Sequence, residues 1–582
     1  MILSTAHLKL LVFAAIAISL GLHSGAVAAG RPNIIVIITD DMGFSDIGPY
    51  GGEIATPNLD KLAAGGVKFS QFYNCAKCEP SRAALLTGQQ FWTKNPNVAV
   101  RKESPNVGEL LRAAGYRNLM VGKWHVADNP FERGFDRHFG FMGGGTDFFL
   151  CDDSFTLDGK PWPVPKKDFY VTTALTEQAV RFIREEKQAH PEKPFFLYLA
   201  YNAPHAPIQA PAEMVAKYRG KYLKGWDVLR RERFEKQQAL GLAGTGWSLS
   251  ERPANLPAWD SLDAKSKDFE DLRMATYAAM VGCVDQGVGA VMSTLDELKL
   301  RENTLVIFLN DNGASPNDRV RRGEFGTPGT NWNIGLGWAV ASTTPFKFYK
   351  RSQHSGGITT PFIAHWPAGI TPRQKYEDQP CHLIDVIPTL LEVAGGTYPT
   401  DFGGKQHPPL PGRSFLPILT KAETLPARTL HFSLFNNLAL IHGGWKIATS
   451  YGQPWQLYDL ANDRTETRDL AAERPEKLAE LLALQKTFSA RPDVALRLSA
   501  GEPEPEYAPP FRPDGTKGPG SNEDVADAAL TFLLTKERAA GRQLSDEEIA
   551  SIKAQAAKTP NAGEKKKKKK KAAKAQDENS DP

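Results

Sequence analysis

Cysteine is scarce in this chain: five in 582 residues, at Cys75, Cys78, Cys151, Cys283 and Cys381. An odd, sparse set cannot form a disulfide framework, and it leaves a cysteine available for other work. A global excess of one charge is also missing. The formal net charge is +4, and the segment from Glu564 to Pro582, with eight Lys against four acids, carries all of it. The remaining chain sums to zero, so no broad basic field exists and nucleic acid is excluded as a partner class. Beyond Leu20 no segment reads as long and apolar enough for a stable membrane span, and no internal repeat is present.

What is present begins with an export signal. Lys9 precedes an apolar run from Leu10 to Leu20, and Ala26, Val27, Ala28 and Ala29 supply a cleavage site near residue 28, so the chain is expected to be periplasmic or secreted. The run is short for a bilayer; an uncleaved anchor is the alternative. No Cys precedes Cys75, so a lipid-modified cysteine after the signal is excluded. A composition of 41% hydrophobic and 23% charged residues fits a globular enzyme.

Four apolar runs read as buried strands: Ile34 to Ile38, Leu119 to Val121, Phe195 to Ala200 and Thr304 to Leu309. Helical patterns alternate with them, one on Leu175, Ala179, Phe182 and Ile183 behind Thr173 as N-cap, another from Met274 to Leu298. Alternation of this kind implies an α/β fold: a large, mostly parallel sheet sandwiched by helices. Ligands bind beyond the carboxyl ends of such strands. Here those ends deliver Asp40-Asp41, Lys123 and His125, His205, and Asp311-Asn312, which points to one convergent site. After Pro399 short β-like stretches (Thr429 to Phe432, Leu438 to His442, Trp445 to Ala448, Gln456 to Tyr458) and a helix near Pro475 to Phe488 read as a smaller antiparallel unit. The expected organisation is a signal peptide over 1–29, a catalytic α/β domain over 30–400, a C-terminal antiparallel subdomain over 401–495, and an extension over 496–582. That extension holds a capping box at Ser545-Asp546-Glu547-Glu548 and ends in seven consecutive lysines, Lys565 to Lys571, read as a solvated tail.

The segment from Cys75 to Gly88 is the most informative. Pro80 suits the first turn of a helix, Ala83 to Leu86 favour its continuation, and Gly88 suits its end. Cys78 then sits at a helix N-terminus, where free N–H groups and the dipole favour an anion. Alone, Cys75 and Cys78 would also fit a redox dithiol or a buried structural thiol. Cys78-Glu79-Pro80-Ser81-Arg82 followed by Leu86-Thr87-Gly88 resembles the sulfatase signature, in which that Cys is oxidised to formylglycine. The resemblance extends over Asn33 to Gly43, Thr56-Pro57-Asn58-Leu59-Asp60, Gly122-Lys123-Trp124-His125, Arg133-Gly134-Phe135-Asp136, Asn202 to Pro207 and Asp311-Asn312-Gly313. It covers about Arg31 to Arg491 and is nearest to bacterial secreted arylsulfatases.

The resemblance implies an alkaline phosphatase-like fold and a calcium ion held by Asp40, Asp41, Asp311 and Asn312 with the modified Cys78. Oxygen donors suit a hard cation, whereas zinc would want histidine beside the aspartates. It further implies a hydrated aldehyde at Cys78, one hydroxyl of which, deprotonated with help from Asp311, attacks sulfur. In that scheme Arg82 holds the diol, and Lys123 and Lys350 neutralise the sulfate oxygens. His205 protonates the leaving alcohol and His125 takes a proton from the second hydroxyl, expelling sulfate. Lys350 precedes Gly356-Gly357 at the family's spacing, but Ser355 stands where Glu is common, which keeps Lys347 as an outside candidate. His138, His190, His365 and His407 are read as structural.

The partners so implied are a sulfated small molecule or polysaccharide and, during maturation, a formylglycine-generating enzyme. Loops over Phe149–Pro165, Tyr218–Asp268 and Asn317–Ala341, rich in Trp and charge, are where specificity is expected. Two alternatives stay open: a formylglycine-dependent phosphodiester or phosphonate hydrolase, and a non-catalytic sulfated-glycan binder. The presence of all ten site positions argues against the second.

Overall fold

In the computed structural model the described residues are 30–90, 104–126, 128–151, 154–165, 167–317, 323–407, 409–435, 437–450, 453–491 and 547. The expected signal peptide 1–29 and the expected extension, with the capping box read at Ser545-Asp546-Glu547-Glu548 (Glu547 apart) and the Lys565–Lys571 run, lie outside them.

Ten strands form the principal sheet: β1 Asn33–Thr39, β2 Val67–Tyr73, β3 Arg117–Lys123, β4 Arg137–Phe141, β5 Thr156–Leu157, β6 Lys160–Pro161, β7 Phe195–Ala200, β8 Thr304–Asn310, β9 Thr359–His365 and β10 Cys381–His382. Their spatial order is β10-β2-β9-β8-β1-β7-β3-β4-β5-β6. The centre is parallel: β1 lies between β7 and β8, and β3 between β7 and β4. β9 runs antiparallel to both β8 and β2.

Both faces of the sheet are dry, which is why its central strands are apolar without alternation. Ile35 and Ile37 of β1 join one core, under the helices Pro57–Ala64, Val171–Ala189 and Ala264–Glu297. Ile34, Val36 and Ile38 join the opposite core, under Cys78–Thr87, Val107–Ala113 and Val386–Ala394. This is the expected helix-sandwiched sheet.

Three local expectations change. The helix Val171–Ala189 starts two residues before Thr173, with Tyr170 at its N-cap. The helix expected over Met274 to Leu298 begins ten residues earlier, at Ala264, behind an Asp263 cap whose carboxylate accepts from Ser266 N at 2.8 Å. At 34 residues that helix is long and apolar enough to cross a bilayer by length and composition, contrary to the sequence reading. It is buried in the first core beside Val171–Ala189, as the core helix of a globular fold would be.

Strand β2 bulges between Phe69 and Phe72, opposite Pro361 in β9, which cannot donate to the ladder. The buried Tyr50 hydroxyl fills the gap. It lies 2.8 Å from Phe69 O and 2.7 Å from Phe362 O, and accepts from Phe362 N at 3.0 Å. Beyond a small separate hairpin of β11 Asp401–Phe402 and β12 Lys405–Gln406, a second, antiparallel sheet follows: β13 Thr429–Leu434, β14 Asn437–His442, β15 Trp445–Thr449 and β16 Gln456–Asp459 pair in order, with the helix Pro475–Ser489 against them.

Candidate active site

The carboxyl ends of β1, β3, β7 and β8 meet at one buried cluster. At the end of β1 the chain turns sharply, with Asp41 in the left-handed region at φ 61°. Asn310, the last residue of β8, holds that turn. Its Oδ1 accepts from Thr39 Oγ1 at 2.9 Å and Met42 N at 3.1 Å, and its Nδ2 donates to Met42 O at 2.7 Å. The sequence reading missed Asn310, although it directly precedes Asp311-Asn312. Asp40 and Asp41 thus face Asp311, whose Oδ1 accepts from Asp41 N at 3.3 Å, and Asn312, whose Nδ2 donates to Asp41 Oδ1 at 2.6 Å.

Cys78 opens the helix Cys78–Thr87, with Lys77 as an extended N-cap and Gly88 closing it at φ 69°. The cysteine is 4% exposed. No disulfide exists among the described residues, and burial pushes the Cys75 thiol up to about 12, which is unlike a redox dithiol. One turn into the helix, Arg82 is fully buried. Its Nε donates to Asp311 Oδ2 at 3.1 Å, its Nη2 lies 3.6 Å from Asp40 Oδ2, and its Nη1 donates to Lys123 O at 3.2 Å.

Lys123, at the end of β3, pairs with Asp40 Oδ2 and is fully buried. Lys350 pairs with Asp41 Oδ1, and its Nζ is 3.9 Å from Cys78 Sγ. Lys347 instead donates to Tyr458 OH at 2.7 Å, so of the two candidate lysines only Lys350 joins the cluster. His205 Nε2 lies 3.5 Å from Asp41 Oδ2, while its Nδ1 donates to Ala206 O at 2.7 Å, which leaves Nε2 turned to the site. His125 follows Trp124 in a left-handed turn at φ 53°. Burial, then the charges of Lys123 and Arg82, hold its imidazole well below the usual range, hence neutral. The ten residues singled out in the sequence therefore converge.

Gly144 and Gly145 were not singled out, yet they make room for both histidines. A Cβ on Gly144 would come 2.9 Å from His125 Nε2, and one on Gly145 3.4 Å from His205 Cε1. Three consecutive glycines just past β4 were the available signal.

Electrostatically the pocket is unusual. Asp40, Asp41 and Asp311 face Arg82, Lys123 and Lys350, all in a water-poor interior. Burial works against each charge. Lys123 and the other cations nevertheless hold Asp40 well below the carboxylate range, and Lys350 and His205 hold Asp41 below its ordinary value. Burial and the neighbouring Asp40 push Asp311 well above that range, so the third carboxylate is not accommodated by the resident cations. Burial also pushes the Cys78 thiol up, but Lys123 and Lys350 outweigh it and bring the thiol to about 7, below its ordinary 9.

Three acceptor oxygens here, Asp40 Oδ1, Asp41 Oδ2 and Asn312 Oδ1, are buried with no hydrogen-bond donor. Ligand atoms of Asp40, Cys78 and Asp311 lie within 4.8 Å of one another, as do those of Asp40, Asp41 and His205. Orphaned acceptors beside three buried acids fit a cation, and this donor set could hold a metal ion.

Of the six tryptophans in the loops expected to carry specificity, Trp162 and Trp247 are half-buried and the other four are buried. Trp226, Trp259 and Trp338 pack on one another, with ring centroids 4.9 Å apart for Trp226–Trp259 and 5.5 Å for Trp226–Trp338, and Trp332 is equally buried. These indoles build the core.

A doubly covered, mostly parallel sheet with acidic residues and histidines at its strand ends defines an alkaline phosphatase-like hydrolase architecture. The sequence profile of the family described as Sulfatase matches residues 32–396. The arylsulfatase of Klebsiella aerogenes is 35% identical over 66% of this chain and 91% of its own length. A sulfatase of Schizosaccharomyces pombe is 30% identical over 80% of this chain and 94% of its own. The solved structure of Ps i-CgsB in complex with k-i-k-neocarrahexaose superposes with a TM-score of 0.60 at 28% identity, over 81% of this chain and 95% of that one. The chain belongs to the sulfatase family, and is a sulfuric ester hydrolase.

Proposed function

We propose that this chain hydrolyses a sulfate ester on a sugar or polysaccharide, using a formylglycine made from Cys78 and a calcium ion. The observation that carries the reading is the trio of donorless acceptors on Asp40, Asp41 and Asn312, set beside Cys78 at a helix N-terminus. Asp40, Asp41, Asp311, Asn312 and the modified Cys78 would hold the ion, which when bound supplies a hard Lewis acid that lowers the proton affinity of an oxygen nucleophile. Formylglycine supplies a hydrated aldehyde whose two hydroxyls permit attack and then elimination.

The chain's own residues do the rest. Arg82, anchored on Asp311, would donate from its remaining N–H groups to a hydroxyl oxygen of the hydrated residue 78. Lys123 and Lys350 place two ammonium groups where charge grows on the sulfate oxygens, in a site dry enough to make that interaction strong. His205, with its Nδ1–H donating to Ala206 O, presents Nε2, and its imidazolium form gives the Nε2 proton to the leaving oxygen. His125, neutral through burial, accepts the proton that releases sulfate. A carbohydrate substrate accords with the oligosaccharide in the Ps i-CgsB structure. Export, a catalytic unit over 30–400 and a C-terminal subdomain over 401–495 complete the proposal.

The test is the mass of the tryptic peptide containing Cys78 after coexpression with a formylglycine-generating enzyme, followed by turnover across a panel of sulfated glycans. Active protein carrying only the intact thiol refutes the mechanism.

A further inference from the structure

The loop that carries Lys350 is held from outside the principal sheet. Its backbone folds back on itself: Gly356 N donates to Lys347 O at 3.1 Å and Gly357 N to His354 O at 2.9 Å. It also docks on the loop bearing Asp311 and Asn312, since Lys350 N donates to Ala314 O and Gly313 N to Gly357 O, both at 3.1 Å. The packing there is backbone on backbone. A Cβ on Gly313 would come 2.1 Å from Gly356 O, and one on Gly356 2.1 Å from Phe348 O. With no side chain between them, a shift of one segment must move the other.

Three groups of the second sheet region grip this loop. Tyr458 OH accepts from Lys347 Nζ at 2.7 Å, and Gln456 Oε1 lies 2.9 Å from His354 Nε2. The third is Glu466, which follows β16 in a left-handed conformation at φ 59° and is 1% exposed. Its carboxylate accepts from Ser355 N at 3.0 Å and from Ser355 Oγ at 2.8 Å, and it pairs with the fully buried Lys446 of β15. Burial pushes its carboxyl up, but Lys446 brings it to about 2, so the acceptor is a full carboxylate.

We propose that Glu466 is a positioning residue for sulfate-ester hydrolysis: by holding both donors of Ser355 it sets the Gly356-Gly357 turn against Gly313 and thereby places Lys350 on the anion pocket. Glu466 touches neither substrate nor the reacting atoms, so it acts through Lys350. The inference rests on the proposed role of Lys350, and a Lys350→Ala control separates the two. If Lys350→Ala leaves kcat/KM unchanged, the role of the lysine falls; if it cripples turnover while loosening the Glu466 clamp does not, the positioning role falls.

Removing Glu466 alone would strand a buried ammonium, and removing Lys446 alone a buried carboxylate, so each Glu466 variant of the full chain is made together with Lys446→Met and compared with the unsubstituted protein. On that background Glu466→Leu removes both hydrogen bonds to Ser355, and Glu466→Gln retains one acceptor. With folding checked by circular dichroism, Glu466→Leu is expected to lower kcat on a chromogenic aryl sulfate by about 10- to 100-fold, the loss typical of a small misplacement. It should weaken binding of inorganic sulfate to the Cys78→Ala chain by a comparable factor, and Glu466→Gln should recover most of both. Ser355→Ala, which removes only the hydroxyl donor, is expected to lower kcat about threefold. A folded Glu466→Leu protein with parental kcat and sulfate affinity overturns the proposal. So does equal loss in the Gln and Leu variants. Should Glu466→Leu not fold, an unchanged kcat in Ser355→Ala overturns it instead.

Discussion

Stripping divalent cations should cost this protein stability as well as activity, and the site geometry sets the scale. Asp40 Oδ1, Asp41 Oδ2 and Asn312 Oδ1 are desolvated without donors. An unsatisfied buried acceptor costs about 1–3 kcal/mol, so the ion-free pocket carries roughly 3–9 kcal/mol of unfavourable energy that an ion can relieve. An ion present at about 1,000 times its Kd adds about 4 kcal/mol to the folded state. At about 2 °C per kcal/mol for a large unit, the expected gain in Tm is about 8 °C. The assay is calorimetric melting of chelator-treated full-length protein, repeated with calcium, magnesium or zinc restored. Calcium should raise Tm most, because every donor at the aspartates is oxygen. Asp41→Asn should shrink the calcium-dependent shift. Chelated protein that melts at the same temperature with and without calcium would refute the metal reading, as would zinc restoring both Tm and turnover better than calcium.

Three further outcomes follow from the same contacts. Lys123→Met should lower kcat/KM on an aryl sulfate by about 10²–10³-fold, the loss expected when one preorganised charge is removed from a dry site; steady-state kinetics on folded variant check it. His205→Gln should slow sulfates of poor alcohol leaving groups about 10²-fold more than nitrophenyl sulfate, which needs little proton assistance; a leaving-group series reads the difference. Acid should destabilise the fold through buried histidines. Burial holds His138, His354 and His382 at about 4 against an ordinary 6.5. Below 6.5 the unfolded chain binds protons that the folded chain refuses, so each contributes stability that is complete above that pH and lost progressively down to about 4. The slope is about 1.4 kcal/mol per pH unit for each group. His382→Asn, whose oxygen can still accept from Ile384 N, should flatten the profile by one proton in urea unfolding between pH 5 and 7; an unchanged slope would count against the buried neutral histidine.

How far the fold could be read in the sequence depended on where each strand sits in the sheet. β7, Phe195–Ala200, was legible to the residue because both of its faces are dry and every position is apolar. β2 and β9 were not. The first carries Lys68, Ser70 and Gln71, and the second carries Pro361, so neither has a continuous run or a clean alternation. Their pairing is rescued by the Tyr50 hydroxyl, a tertiary contact that no local window contains. The second sheet was legible for the opposite reason. Its hairpins β13–β14 and β14–β15 are local in sequence, and turns separate them at short intervals.

The site divides along the same line between local and distant information. Asp40-Asp41, Cys78 with Arg82, Lys123 with His125, and Asp311-Asn312 each occupy a few residues at one strand or helix end, so pattern and position coincide. Lys350 does not: only two residues separate it from Lys347, and only the folded loop tells them apart, by sending one ammonium to Asp41 and the other to Tyr458. What folds that loop lies farther still, since Glu466 is 111 residues from the Ser355 it holds. The tryptophan-rich loops show the converse failure. Composition pointed outward to a sugar; Trp162 and Trp247 stay half-buried, but Trp226, Trp259 and Trp338 gain more by burying indole area against one another than by facing water. A sequence window reports which groups can do chemistry; which copy of a residue does it is decided by contacts whose partners are distant in the chain. The C-terminal sheet therefore belongs in any account of the sulfate pocket, although no residue of it would touch sulfur.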